Sequence, residues 1–134
     1  MLFRSWGSEL TTEISLVESD MTRFAKKSGG YIGSDVVEKK MRDGVPIHLV
    51  YCEVDADDAD PLGNEPVSDG EKIIGVTTSG AYGHTVKKSL VFAYVQSGYE
   101  KPNTEFQVKI LGEIRKAKVL KGAVWDPDNA RLRA

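Results

Sequence analysis

The period of the hydrophobic pattern changes near residue 46, and this change constrains the fold more than any other feature of the sequence. Before it, apolar residues recur at helical spacing. After it, apolar and polar residues alternate over short segments rich in β-branched and aromatic residues. Because these two periods belong to helices and strands respectively, the chain is predicted to be α+β and mainly β, with short helices followed by strands.

The chain has 134 residues, which is enough for one ordinary domain and too few for two. We divide it at the change of period, into a helical segment of residues 1–45 and an antiparallel β-barrel of residues 46–134. The composition is that of a folded globular chain, since 40% of the residues are hydrophobic and 28% are charged.

Two helices are predicted in the first segment. Ser15 and Glu18 form an S-x-x-E capping box, which marks a helix start, and the apolar residues that follow keep helical spacing until Gly29 and Gly30 end the helix. The second helix is predicted to begin with Ser34 as its N-cap and to run to about residue 42.

Short connections between the strands favour a small closed antiparallel barrel of five to six strands. Asp69 and Gly70 predict a hairpin turn, and Gly112 with Glu113 predicts a second tight turn. The predicted strands are residues 46–54, a strand around Val67, and residues 73–78, 89–95, 106–110 and 114–120.

Charge and hydropathy argue against two classes of partner. Eighteen basic and twenty acidic residues give a net charge of −2, so the chain lacks the basic excess of proteins that bind nucleic acid or anionic membranes. No targeting signal and no apolar run long enough to span a bilayer is present. We therefore expect a cytoplasmic protein, or one of the mitochondrial matrix if the source is eukaryotic.

Metal binding has little support in the sequence. One cysteine and two histidines exclude an internal disulfide, a cysteine-based zinc site and a histidine-rich cluster. The acidic residues 55–60 resemble a calcium loop, but Asp60 stands where an EF-hand loop has glycine and Pro66 where it has glutamate. A solvated surface loop is the preferred interpretation.

No catalytic residue is predicted. Cys52 lies within an apolar strand and is interpreted as a buried small hydrophobic residue. His48 is favoured as a core or barrel-mouth histidine over a catalytic one, because neither histidine accompanies a recognisable nucleophile. Trp6 and Trp125 are expected to pack, although an aromatic residue beside a polar loop can also stack on a flat ligand.

The glycines of residues 80–84 allow two interpretations. A phosphate cradle would need a G-x-G-x-x-G or Gly-Lys-Ser/Thr pattern, and the sequence Gly-Ala-Tyr-Gly-His has neither. We favour a connection in which Gly80 or Gly83 adopts a positive φ. Residues 6–13 are dense in hydrogen-bonding groups for a terminus, and this density predicts that they normally abut another surface.

Several motifs in order resemble one known family. Residues 75–80 (G-V-T-T-S-G) followed by residues 88–95 (K-S-L-V-F-A-Y-V) resemble a pattern of the C-terminal barrel domain of the glycine cleavage T-protein (aminomethyltransferase) family. Residues 4–14 resemble the segment that joins the family's folate-binding core to that barrel, and residues 31–33 its F-I-G motif. Trp6-Gly-Ser-Glu-Leu and Tyr82-Gly-His are most similar to the folate-binding part of dimethylglycine and sarcosine dehydrogenases.

The resemblance implies tetrahydrofolate as cofactor, without a metal, and transfer of an aminomethyl or methyl group from a glycine-derived or N-methylated amine. It also implies that residues 1–45 link the barrel to a folate-binding core that is absent, because the family's catalytic aspartate lies in that core. We therefore expect a fragment of a longer enzyme, inactive alone, whose partner is the missing core or a separate subunit. Trp6 and His48 are the candidates for facing the folate.

A second hypothesis from a different class is kept. The barrel could be a stand-alone interaction module, with an apolar face around Trp6 and Val17 that binds a partner chain or a second copy of itself.

Overall fold

The computed structural model describes residues 4–26, 28–131 and 133, and its main feature is a closed antiparallel barrel of six strands. The strand order around the barrel is β1-β4-β3-β2-β5-β6, and β6 closes it by pairing with β1, where Cys52 lies opposite Val119. The predicted mainly β architecture is confirmed. The strands are β1 (Ile47–Val54), β2 (Pro66–Asp69), β3 (Lys72–Gly83), β4 (Lys88–Gln96), β5 (Glu105–Ile110) and β6 (Glu113–Val119).

The core lies inside the barrel and is formed by alternate residues of the strands. Along β4, for example, Val91, Ala93 and Val95 are fully buried, while Leu90 and Phe92, at alternate positions, are only partly buried and face outward. Burial of this aliphatic interior is the main favourable term for folding. The buried cluster consists of Val50, Cys52, Val54, Val67, Ile74, Val91, Ala93, Val95, Phe106, Val108, Ile110, Ala117 and Val119.

The predicted turns are present, with one small shift. Asp69 ends β2, and Gly70 with Glu71 forms the two-residue turn into β3. The β5–β6 turn lies at Leu111 and Gly112, one residue earlier than predicted. Both have positive φ, 48° and 92°, the conformation of the tight turns that match strand twist.

The interpretation of residues 80–84 as a connection is wrong, because β3 continues to Gly83. Neither Gly80 nor Gly83 is among the glycines of positive φ. Their lack of a side chain serves close packing instead: a Cβ on Gly80 would lie 2.5 Å from Cγ of Pro61 and 2.9 Å from the carbonyl oxygen of Leu90. Because Gly80 has no side chain, the loop before β2 can pass in direct contact with the backbone of β3.

The first predicted helix is wrong, and the second is confirmed. The Glu18 half of the capping box forms, since the backbone N–H of Ser15 donates to its carboxylate. Asp20, however, has a φ of 54°, which interrupts right-handed helical geometry, and only a 3-10 turn, Thr22–Phe24, follows. The second helix, α1, spans Ser34–Asp43 and ends at Gly44. Its N-cap is Gly33, at a φ of 83°, and not Ser34 as predicted.

Candidate functional site

The amino-terminal segment, residues 4–24, lies on the outer face of β1, β4 and β3 and carries a buried carboxylate that accepts three hydrogen bonds. Glu9 is 1% exposed. Its carboxylate accepts hydrogen bonds from Oγ1 of Thr78 and Oγ of Ser79, both at 2.6 Å, and from the backbone N–H of Ser5 at 2.6 Å. The hydroxyl of Tyr94 donates to the carbonyl oxygen of Glu9, also at 2.6 Å.

A β-bulge explains how two consecutive residues reach the same carboxylate. The β3–β4 register shifts between Thr77 and Ser79, since Thr77 pairs with Ala93 and Ser79 pairs with Phe92. Thr78 is the extra residue, and a bulge redirects side chains that would otherwise alternate between faces. The hydroxyls of Thr78 and Ser79 can therefore both point at Glu9.

The hydrogen bonds hold Glu9 in its charged form despite its burial. Burial alone raises the pKa of a carboxyl group, but the bonds from Ser79, Thr78 and Ser5 outweigh it and leave the pKa of Glu9 below its ordinary value. The pKa of the neighbouring Tyr94 is raised instead. Burial, together with the negative charge of Glu9, raises it to about 12. The pair is therefore a carboxylate beside a neutral phenol at neutral pH.

The same stretch of β3 also fixes a loop of the barrel. The hydroxyl of Thr77 donates to the carboxylate of Glu65, which also accepts from the backbone N–H groups of Leu62 and Gly63, at 2.7 and 2.9 Å. The G-V-T-T-S-G motif thus joins the loop before β2 to the barrel through Thr77, and the amino-terminal segment through Thr78 and Ser79.

Glu18 supplies the second attachment of the amino-terminal segment. Its carboxylate accepts from the backbone N–H of Ser15 at 3.1 Å and from Nζ of Lys40 on α1 at 2.6 Å. Its carbonyl oxygen accepts from the backbone N–H of Leu49 on β1 at 2.7 Å. One residue therefore joins the segment to both α1 and the barrel, which is why the capping box is present without the helix that it normally begins.

The two candidate folate-facing residues lie in different settings. Trp6 is 75% exposed, so the expectation that it packs is wrong. His48 is half-buried at the start of β1 and lines a pocket of about 360 Å³ together with Arg4, Tyr51 and Glu100. Trp6 does not line this pocket. Trp125 is about half exposed, at 47%, with the guanidinium of Arg131 4.7 Å from its ring centroid.

Cys52 is buried as predicted, with no exposed surface. Burial raises the pKa of its thiol to about 12. The thiolate is the reactive form, so we expect no reaction with a disulfide reagent such as dithionitrobenzoate at pH 8 in the native state. In guanidinium chloride one thiol per chain should react, since the sequence has one cysteine. Rapid modification of the native protein would contradict the buried position.

The acidic residues 55–60 form a surface loop, as preferred from the sequence. Asp58 binds Nη2 of Arg115 on β6 at 2.8 Å, which attaches the loop to the barrel and lowers the pKa of Asp58. Within the described residues, no group of three or more histidine, cysteine or acidic side chains is placed to hold a metal ion. No helix in this part of the chain is both long and apolar enough to cross a membrane.

Comparison with known proteins defines the class. The family model described as the glycine cleavage T-protein C-terminal barrel domain matches residues 48–126. The chain belongs to this family. The match covers all six strands except the first residue of β1 and includes the glutamate-binding stretch of β3.

The relatives are longer proteins. The chain is 34% identical over 134 residues to mitochondrial dimethylglycine dehydrogenase of Mus musculus, covering 97% of this chain and 15% of that protein. It is 32% identical over 117 residues to aminomethyltransferase of Bacillus pumilus, covering 86% of this chain and 32% of the relative. Aminomethyltransferase T of Bartonella henselae has the same fold, with a TM-score of 0.81 at 18% identity, over 89% of this chain and 34% of that one.

Sequence reasoning missed Glu9, Glu18 and Tyr94 as the residues that attach the segment to the barrel. The polar density of residues 6–13 predicted contact with something outside the chain; within the structure Glu9 binds the chain's own barrel, while Trp6, Ser8 and Glu13 are exposed. A single acidic residue has no pattern of its own, so its burial depends on tertiary neighbours about 70 residues away.

Proposed function

We propose that this chain is the C-terminal domain of a tetrahydrofolate-dependent enzyme that transfers a one-carbon unit from a glycine-derived or N-methylated amine. The family match over residues 48–126 is the observation that carries the proposal. Mitochondrial dimethylglycine dehydrogenase and bacterial aminomethyltransferase are both relatives, so the cytoplasm and the mitochondrial matrix are both consistent locations.

The side chains that this chain presents suggest which roles belong to it and which belong to the N-terminal core. An exposed indole at Trp6 can stack on a flat ring, and the imidazole of His48 can donate to a carboxylate at the barrel mouth. These groups fit part of a folate. Bound folate would supply the nucleophilic nitrogen that accepts the one-carbon unit. The N-terminal core would supply the catalytic carboxylate, so we propose that the chain is inactive alone.

The surface for that core includes α1. No residue of α1 is buried, and its apolar residues Val36 and Met41, with Ile32 just before it, are exposed. Helices of globular proteins normally bury such residues. We propose that residues 1–45 link the core to the barrel of residues 46–134, and that the core covers this side of α1.

A titration tests the folate proposal. The chain is mixed with a truncated Bacillus pumilus aminomethyltransferase that lacks its matching C-terminal part, and 5-formyltetrahydrofolate is added in a calorimeter. We expect binding at least tenfold tighter than to either part alone. Trp6→Ala and His48→Gln should each weaken it several-fold, and Trp125→Ala, which removes an indole elsewhere, should not. No gain in affinity in a mixture shown to associate would contradict the proposal.

The exposed residues of α1 also favour the second hypothesis, an interaction module that homodimerises. Light scattering at high protein concentration distinguishes the interaction module from the enzyme domain. A dimer that Val36→Lys disrupts, while Val76→Lys on the barrel does not, would support the module. A monomer at the highest accessible concentration would count against it.

A further inference from the structure

A cleft lies at the end of the barrel where β1 finishes and β4 begins. Its volume is about 590 Å³, within the range of small-molecule sites. Val54 lies opposite Ser89 at this end, whereas His48, at the start of β1, lies opposite Val95. Among the described residues, none lines both this cleft and the pocket at His48, so the two spaces are separate. This space, the Ser89 cleft, is lined by residues 53–57, 87–89 and 115–118 with Tyr82 and Glu105.

The hydroxyl of Ser89 is a buried polar group without a partner. Ser89 is 2% exposed, and its Oγ forms no hydrogen bond within the described residues. It lies on the same side of β4 as Val91, whose side chain fills the barrel. The hydroxyl is therefore at the inner end of the cleft. Buried polar side chains of folded proteins normally have a partner, and a group bound in the cleft would supply one.

Arg115 brings a second such atom to the same cleft. Its Nη2 binds the carboxylates of Asp58 and Glu113, at 2.8 and 2.7 Å. Its Nε is buried and has no hydrogen-bond partner in the described part of the chain. Because an N–H group only donates, the partner that it lacks is an acceptor, and the hydroxyl of Ser89 can donate as well. A carboxylate, with two acceptor oxygens, matches both groups.

The mouth of the cleft carries charges of both signs. Five basic residues line the cleft, against four acidic residues. Lys88 and Glu53 bind each other, with Nζ 2.5 Å from the carboxylate. A simple anion would be repelled by the remaining carboxylates and a simple cation by the remaining lysines, whereas a ligand with both charges is attracted by each. Three exposed lysines and three exposed carboxylates form no ion pair within the described residues: Lys87, Lys116, Lys118, Asp55, Asp57 and Glu105.

We propose that the Ser89 cleft binds a small zwitterion, with an ammonium group and a carboxylate on one molecule. The carboxylate accepts hydrogen bonds from Oγ of Ser89 and Nε of Arg115. The ammonium group pairs with Asp55 and Asp57 at the exposed mouth. Hydrogen bonds from buried donors to a charged group are strong, and the acidic residues select against plain anions. Binding depends neither on folate nor on the N-terminal core, because all these groups belong to this chain.

Four small molecules test the proposal on the isotope-labelled full chain, by amide chemical-shift changes at low ionic strength. β-Alanine and 4-aminobutyrate carry both charges and differ by one methylene group, butyrate lacks the ammonium group, and butylammonium lacks the carboxylate. We expect at least one zwitterion to bind roughly tenfold more tightly than butyrate and butylammonium, with the largest shifts at residues 87–89 and 115–118. Failure of both zwitterions to bind, or equal affinity for butyrate or butylammonium, overturns the proposal.

Ser89→Ala distinguishes a binding role of this residue from a structural one. The variant loses a hydroxyl that has no partner in the free chain, so its melting temperature should equal or exceed that of the native protein. Its affinity for the zwitterion should fall roughly fivefold, since the carboxylate loses a donor. Ser97→Ala, at an exposed position outside the cleft, should leave the affinity unchanged. A lower melting temperature or an unchanged affinity in Ser89→Ala contradicts the assignment.

The role of the carboxylates is tested by combining Asp55→Asn with Asp57→Asn. The affinity for the zwitterion should fall roughly fivefold, because the ammonium group loses its attraction, while butyrate should bind more tightly. Glu71→Gln combined with Asp128→Asn removes two exposed charges outside the cleft and should change neither affinity. No change in the first double variant, or an equal loss in the second, overturns the proposal.

Discussion

Replacing Glu9 by alanine is expected to lower the free energy of unfolding by roughly 2–4 kcal/mol. The change removes the acceptor of three hydrogen bonds and leaves the hydroxyls of Thr78 and Ser79 without that partner. Urea denaturation measures the effect. Glu13→Ala, in the same segment and exposed, is the matched control and should change the free energy by less than about 0.5 kcal/mol.

The contribution of Glu9 should also depend on pH in a defined direction. Its pKa is below the ordinary value in the folded state, so the stabilisation is present above the pKa of the unfolded chain, near 4.5. It is lost as the pH falls through the lower folded pKa. The difference in stability between the native protein and Glu9→Gln should therefore shrink below about pH 4.5. A difference that is constant down to pH 3 would show that the charge of Glu9 contributes nothing.

Replacing Gly75 by alanine is expected to cost about 3 kcal/mol or more, or to prevent folding. A Cβ on Gly75 would clash with the carbonyl oxygen of Tyr94 and lie 3.0 Å from Cα of Val95, both in the backbone of β4. Neither atom belongs to a flexible side chain, so β3 and β4 would have to separate where they pair.

Gly122→Ala is the control for this prediction. No atom lies within 4 Å of a Cβ at Gly122, and its φ is not positive, so the added methyl group meets neither a clash nor backbone strain. In thermal unfolding, the melting temperature of Gly75→Ala should lie far below that of Gly122→Ala. Similar melting temperatures for Gly75→Ala and the native protein would show that the barrel can expand there, contrary to the packing described.

The barrel could be predicted because its determinants are local. Alternation of apolar residues gives each strand, Asp69 and Gly70 give a turn, and six short strands in succession leave few other arrangements. The resemblance of residues 75–80 and 88–95 to the T-protein barrel is likewise confirmed by the family match.

The helix at Ser15 shows why other parts could not be predicted. The capping box is a correct local signal, but Glu18 binds Lys40 and β1 instead of continuing a helix, and these partners are distant in sequence. The sequence predicts a positive φ at Gly80 or Gly83, because glycine adopts that conformation without steric cost. The actual reason, close contact with Pro61, exists only after the loop has folded onto β3.

We propose that this chain completes a one-carbon-transfer enzyme when joined to a folate-binding core. It is tested most directly by a chimera in which residues 4–134 replace the matching C-terminal part of Bacillus pumilus aminomethyltransferase, with tetrahydrofolate-dependent turnover as the measurement. We expect turnover by the chimera and none by this chain or by the truncated enzyme alone. A chimera that is folded and monodisperse, yet no more active than the truncated enzyme, would contradict it.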